Sequence, residues 1–101
     1  VKVRWSRRAL WDLREIGGFI SRDSPQAARR WVGRLQERAK KAAFMPRAGR
    51  MVPELNLEQI REVLIGNYRI VYRLKPQEIE ILTVFEGHRL FPLTLEEVED
   101  C

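Results

Sequence analysis

The sequence predicts an α+β fold in which an N-terminal strand and an antiparallel helix hairpin pack on a small antiparallel β-sheet meander. Apolar residues in the first half recur at the three- and four-residue steps of two helices. Three β-rich runs in the second half are separated by connections of hairpin length, and a proline-broken loop divides the two halves. A chain of 101 residues holds one core, so residues 1–101 are expected to form a single domain, with residues 90–101 as its C-terminal tail.

Lys2-Val3-Arg4-Trp5-Ser6 alternates polar and apolar side chains, as a short strand with one buried face does. From Arg7 to about Arg22, Ala9, Leu13, Ile16 and Ile20 share one helix face, with Leu10 and Phe19 alongside. Gly17 and Gly18 each weaken that helix by about 1 kcal/mol relative to alanine, so a bend or fraying is expected near its end. At Asp23-Ser24-Pro25 the serine hydroxyl can accept from first-turn amides and proline has no amide to satisfy, so a second helix starts there. Ala28, Trp31, Val32, Leu35, Ala39 and Ala42 form its apolar face, while Arg30, Arg34, Arg38 and Lys41 stack on another. So few residues join the two helices that they must form an antiparallel hairpin.

Pro46 to Glu54 breaks both periodicities and reads as a loop. Gly49 is expected at a backbone position that a side chain would strain, and Arg50 beside Glu54 or the strand ends. Ile60–Ile65, Tyr68–Lys75 and Ile79–Phe85 follow, joined by Gly66-Asn67 and Pro76-Gln77-Glu78, as an antiparallel meander. In the central run Tyr68, Ile70, Tyr72 and Leu74 are expected to meet the helices. Arg69, Val71, Arg73 and Lys75 then point to the other face, which is expected to lie partly open. Thr94 and Glu97 make a capping-box pattern that starts a short acidic helix within Leu90–Cys101.

The hydrophobic fraction of 45% and charged fraction of 33% are those of a folded water-soluble domain, and no apolar run approaches the ~18 residues of a bilayer span. Val1 to Arg8 hold no apolar run followed by a small-residue cleavage site, so no export is expected and the expected compartment is the cytoplasm. Cys101 is the only cysteine, so no disulfide within the chain is expected and its thiol is read as incidental. The net charge of +5 hides an asymmetry. Residues 1–50 carry fourteen Lys/Arg against four acids, a net +10, and the rest a net −5. Such a basic surface favours nucleic acid or an acidic protein partner, although solubility alone is the plainer account of it. No Cys/His or carboxylate cluster has metal spacing and no glycine-rich phosphate loop occurs, so no metal or other cofactor is expected.

Beyond these physical patterns, the Ser24-Pro25-Gln26-Ala27-Ala28 helix start, the Gly49-Arg50-x-Val52-Pro53-Glu54 loop and Ile60-Arg61-Glu62-Val63 carry a resemblance. With Tyr68-Arg69-Ile70-Val71-Tyr72-Arg73 and the Gly87-His88-Arg89 turn, they resemble, in this order, the RelE/ParE toxins over about residues 2 to 92. That resemblance implies a cytoplasmic, growth-arresting toxin of a type II toxin–antitoxin pair, neutralised by a cognate antitoxin that wraps it with an extended helical segment. The stretch Glu96-Glu97-Val98-Glu99-Asp100 has no counterpart in it.

Two targets divide that superfamily. Members similar to RelE cleave messenger RNA on the ribosome without a metal, using cations near the phosphorane charge and groups that give and take a proton. On that resemblance the candidate catalytic residues are Arg69, Arg89, Arg61 and His88, the sole histidine. Glu62 and Val63 stand where those enzymes commonly supply further cations, and a carboxylate there repels phosphate. Members similar to ParE poison DNA gyrase by protein binding, and the chain resembles them more closely in its helix hairpin and its Gly49–Glu54 loop. Gyrase inhibition is therefore expected ahead of RNA cleavage, with Arg30, Arg34, Arg38, Lys41, Arg50 and Arg73 as candidate target- or antitoxin-binding residues. A non-toxic nucleic-acid-binding module is the third alternative. Plain structural roles stand beside these: Arg69 and Arg89 as partners of Glu62, Glu80 or Glu86, His88 as a turn residue, and Trp5, Trp11 and Trp31 as core or helix-interface residues.

Overall fold

Two serines start the helices, and their caps fix where the chain turns. In a computed structural model that describes residues 1–99, Ser6 Oγ accepts from the Ala9 N–H and opens α1 (Arg7–Ser21). Ser24 Oγ accepts from the Ala27 N–H, with Pro25 as the first helical residue, and opens α2 (Pro25–Phe44). Each cap contributes about 1 kcal/mol by satisfying a first-turn amide. α1 runs without interruption through Gly17 and Gly18 to Ser21. Gly17 instead allows close helix packing, because a β-carbon there would stand 3.2 Å from Val32 Cγ2 of α2. Asp100 and Cys101, and with them the role read for the terminal thiol, lie outside the described residues.

The sheet contains β1 (Lys2–Trp5), β2 (Arg50–Met51), β3 (Ile60–Ile65), β4 (Tyr68–Leu74) and β5 (Glu78–Glu86), in the order β1-β5-β4-β3-β2. β3, β4 and β5 form the expected antiparallel meander. β1 joins it in parallel beside β5, and β2 pairs antiparallel with β3, so the sheet is mixed and five-stranded. The parallel neighbour follows from connectivity, because the helix hairpin and all that follows it separate β1 from β5. Gly66 takes the positive φ of +56° that the tight β3–β4 turn requires, and Trp31 of α2 packs over it. Along β4 and β5, Val71 faces Thr83 but Tyr72 faces Ile81, leaving Leu82 as an extra residue.

Two apolar clusters flank the sheet. On one face Leu13, Leu35, Ala39 and Ala42 of the helices bury Ile70, Tyr72, Ile79 and Ile81, and Tyr68 and Leu74 pack against the same cluster, as expected. The opposite face is not left open. Val52, Ile60, Val71, Leu82, Phe85 and Val98 form a second cluster there, edged by Leu55, Leu57, Phe91 and Leu93. α3 (Leu95–Glu99) belongs to this cover: Thr94 Oγ1 accepts from the Glu97 N–H, Glu97 Oε1 accepts from the Thr94 N–H, and Val98 is buried. The leucines of this layer sit in aperiodic segments, which is why alternation and helical period do not reveal it.

The linker from Pro46 is also more ordered than a plain loop. It makes a 3-10 turn over Pro46–Ala48 before β2. Tyr72, buried under it, donates from its hydroxyl to Pro46 O at 2.6 Å, and burial pushes that phenol's pKa up. Gly49 is extended, with φ −66° and ψ 147°, so backbone strain is not its reason. A β-carbon there would collide with the Tyr72 hydroxyl and come within 2.9 Å of Glu62 O.

Candidate functional site

Arg69 leaves β4 on the face away from the helices and ends between two carboxylates. Its Nε donates to Glu62 Oε1 at 2.7 Å, while Nη1 and Nη2 donate to Glu54 Oε2 and Oε1 at 2.8 and 2.7 Å. This forked geometry is the strong form of an arginine–carboxylate bond. The guanidinium also lies 4.9 Å from the Phe85 ring and 5.7 Å from the Phe91 ring. Glu62 is fully buried, and its second oxygen accepts from Arg50 Nε at 2.5 Å. The hydrogen bond from Arg69 holds the Glu54 carboxyl below the usual range, and Arg69 is raised in turn. With two carboxylates on it and 9% of its side chain exposed, Arg69 offers a phosphate little charge or surface.

The other candidate catalytic residues do not gather around it. Arg61 pairs with Tyr72 in the sheet register and so projects from the face opposite Arg69. There it donates to Glu58 O, Arg47 O and Gly49 O at 2.9, 2.9 and 3.1 Å, which fastens the linker to β3. His88 and Arg89 are exposed in the turn after β5, with His88 Nε2 3.7 Å from Glu86 Oε2.

Where β1 ends, Asp12 of α1 takes over the edge of β5. Its Oδ2 accepts from Thr83 Oγ1 at 2.5 Å and from the Val84 N–H at 3.0 Å, and its Oδ1 accepts from Arg8 Nε at 3.2 Å. Beside this anchor lies a groove of about 680 Å³ lined by Arg8, Trp11, Glu15, Phe85, Arg89 and Leu90 among others. Trp11 is 54% exposed and Leu90 93% exposed. Trp11 thus departs from the expected interior role, because it lies two positions from Ala9 and points off the buried face. Trp5 and Trp31 are half-buried and do pack inward, Trp31 against Tyr68 at 5.5 Å.

α2 presents Arg30, Arg34, Arg38 and Lys41 at steps of four, four and three, so they share one side of the helix. Arg30, Arg34 and Lys41 are exposed and Arg38 is half-buried. Among the described residues none of the four is ion-paired, and Arg34 lies 4.3 Å over the Trp31 ring. They line a groove of about 730 Å³ with Val3 and Trp5 of β1 and Ile65 of β3. Arg50 and Arg73 are placed differently. Arg50, expected beside Glu54 or the strand ends, sits on Glu62 and keeps 55% of its side chain exposed. Arg73 donates from Nη2 to the Val98 carbonyl, 17% exposed, with its Nε 3.9 Å from Glu80 Oε1.

Three acids matter more than the sequence suggested. Glu62 reads there as a group repelling phosphate or as a surface partner of Arg69, a pairing the structure does contain but buried, and Glu54 only as an Arg50 partner, while Asp12 draws no notice. The available signal is Glu62 itself, since an acid inside a β-rich run needs a cation when that run is buried. Among the described residues no group of three His, Cys, Asp or Glu could hold a metal, and no helix is long and apolar enough to cross a membrane.

Comparison with known proteins agrees with this architecture. The family described as ParE toxin of type II toxin–antitoxin system, parDE, matches residues 3–91. A Sinorhizobium fredii protein, Y4kP, whose name assigns it provisionally as a toxin, is 36% identical over 96 residues, covering 93% of this chain and 96% of that protein. A structure titled as the chromosomal ParDE TA system from P. aeruginosa superposes with a TM-score of 0.71 at 22% identity, covering 85% of this chain and 95% of that one, which shows a shared fold.

Proposed function

The chain belongs to the ParE toxin family of type II toxin–antitoxin systems, and from that membership we propose that it arrests growth in the cytoplasm by binding DNA gyrase and is silenced by a cognate antitoxin. The carrying observation is Arg69, spent on Glu54 and Glu62 inside the fold while Arg61 works on the opposite sheet face. Acid–base cleavage of RNA needs cations and a proton carrier around one phosphate. Binding a protein needs no such set, only an exposed patch with a few dominant anchors, for which Trp and Arg are the favoured residues. Trp11 and Leu90, framed by Arg8 and Arg89, are such a patch and form the gyrase-facing surface.

The antitoxin surface is the groove between α2 and β1. An acidic amphipathic segment lies along Arg30, Arg34, Arg38 and Lys41. Arg50 stands apart from this surface, on the far sheet edge and the face away from the helices. Arg73 is left out of this surface because it is largely buried and turned to α3.

Purified protein decides the matter in two assays, gyrase supercoiling with trapping of cleavage complexes and messenger RNA cleavage on programmed ribosomes. Gyrase inhibition is expected, and Trp11→Ala with Leu90→Ala is expected to weaken it at least tenfold while the melting temperature holds. RNA cleavage in the ribosome assay overturns the proposal, as does gyrase inhibition indifferent to both substitutions. Harmless induction of the gene without its neighbours favours a non-toxic binding module instead.

A further inference from the structure

We propose that the antitoxin segment is held by a bulky apolar side chain seated in a pocket between Phe44 of α2 and Val3 of β1, just beyond its last contact with the basic row. The proposal deepens the reading of the α2–β1 groove as the antitoxin surface and rests on it. Arg30, Arg34, Arg38, Lys41 and Phe44 follow one another at steps of four, four, three and three, so the side of α2 that carries the cations ends in an aromatic ring. Phe44 is 84% exposed. It stands two positions past the buried Ala42 and so points off the face that packs on the sheet.

A hollow of about 430 Å³ opens beside that ring, lined by Val1, Val3, Lys40, Ala43 and Phe44. The Val1 nitrogen donates to Ala43 O at 3.2 Å, which ties the start of the strand to the end of the helix and sets the width of the hollow. Val3 and Lys40 also line the groove of the basic row, so the hollow adjoins the end of that groove. Charge chooses the occupant. The one acid lining either space, Glu37, is taken by Lys40 at 3.3 Å. A second copy of this chain would bring lysines against lysines here, and an apolar segment without acids would leave the row unmatched. Acids followed by one bulky apolar residue satisfy both parts, with the charges steering the encounter and the seated side chain slowing release. The row from Arg30 to Lys41 runs about 17 Å along the helix axis and Phe44 lies about 4.5 Å further. A helical segment therefore carries its anchor about three residues past its last paired acid, and an extended one about one or two.

The test is surface plasmon resonance of the purified full chain over the immobilised protein encoded by the neighbouring gene, at a series of salt concentrations. Phe44→Ala is expected to raise the off-rate about tenfold or more at every salt concentration while the on-rate holds. The free chain is expected to keep its melting temperature, because the ring is exposed. Arg30→Gln with Lys41→Gln is expected to slow association and to flatten its dependence on salt. Phe19→Ala removes an exposed ring from α1, outside both spaces, and is expected to leave both rates unchanged. An off-rate for Phe44→Ala within about twofold of the wild type overturns the proposal, as does an equal loss in Phe19→Ala or a Phe44→Ala defect that vanishes at high salt. A wild-type chain that is dimeric in solution and is dissociated by Phe44→Ala also overturns it, and reassigns the pocket to a second copy. Binding that responds to Arg30→Gln with Lys41→Gln but not to Phe44→Ala sinks this inference alone, whereas a wild-type chain that does not bind its neighbour's product sinks the antitoxin reading and this inference with it.

Discussion

Replacing Arg69 by alanine removes three hydrogen bonds at once and leaves Glu62, with a fully buried side chain, holding only Arg50. It also empties the space beside Phe85 and Phe91. Deleting one partner of a buried ion pair costs about 3–5 kcal/mol, because the remaining charge is neither hydrated nor neutralised. In a domain of about 100 residues each kcal/mol moves the midpoint by about 4–8 °C, so Arg69→Ala is expected to melt on the order of 20 °C lower. The assay is thermal unfolding followed by circular dichroism at neutral pH. A companion variant separates charge from packing. Arg69→Met with Glu62→Leu removes both buried charges together and is expected to recover most of the loss, since Glu54 and Arg50 keep contact with water. A drop below about 4 °C for Arg69→Ala, about 1 kcal/mol, or a double variant no better than the single, refutes the reasoning. The outcome bears on function too: loss of toxicity in Arg69→Ala says nothing about catalysis until the folded fraction is known.

The same clamp predicts an acid limb. The Glu54 carboxyl is depressed in the folded chain, so its contribution is complete above the ordinary value of 4.5 and is lost as pH falls through the lower folded value. Midpoints measured from pH 6 downward are expected to fall below about pH 4.5, and Glu54→Gln to flatten that fall; an unchanged limb rejects the link. At Gly49, a methyl group meets the Tyr72 hydroxyl and Glu62 O, so Gly49→Ala is expected to cost about 1–3 kcal/mol as overpacking does. Tyr72→Phe alone is expected to cost about 1 kcal/mol through its bond to Pro46. Denaturant midpoints should show the pair costing less than the sum of the two, whereas strict additivity argues against the contact.

The parts of the fold that repeat were legible in the sequence, and the parts that depend on distant partners were not. Ser6 as a cap aside, both helices follow from apolar spacing and the Ser24-Pro25 start, and Tyr68, Ile70, Tyr72 and Leu74 face the helices as alternation requires. β2 is two residues long and lies inside a proline-broken segment, too short for any period. The cover of Leu55, Leu57, Phe91 and Leu93 is equally aperiodic, and without it Arg69 reads as a solvent-facing cation. The basic row of α2 was visible from its spacing. A pairing of Arg69 with Glu62 was legible as the plain alternative, but not that Arg50 and Arg69 converge on one buried Glu62, that Glu54 clasps Arg69, or that Arg73 turns to Val98, because these partners are separated by seven to twenty-five residues or lie on a neighbouring strand.

The parallel pairing of β1 with β5 sets a timetable for the nascent chain. Ser6 and its acceptor Leu82 are 76 residues apart, and Asp12 waits as long for Thr83 and Val84. The packing of α1 on α2 is local in sequence, whereas both helices also pack on β5, which is synthesised later. At about 5–20 residues per second of synthesis, that interval is about 4–15 s. Until it has elapsed, the strand that neighbours Trp5 and carries the acceptors of Ser6 and the donors to Asp12 has not been made, so the finished surfaces of the toxin date from the last fifth of its synthesis.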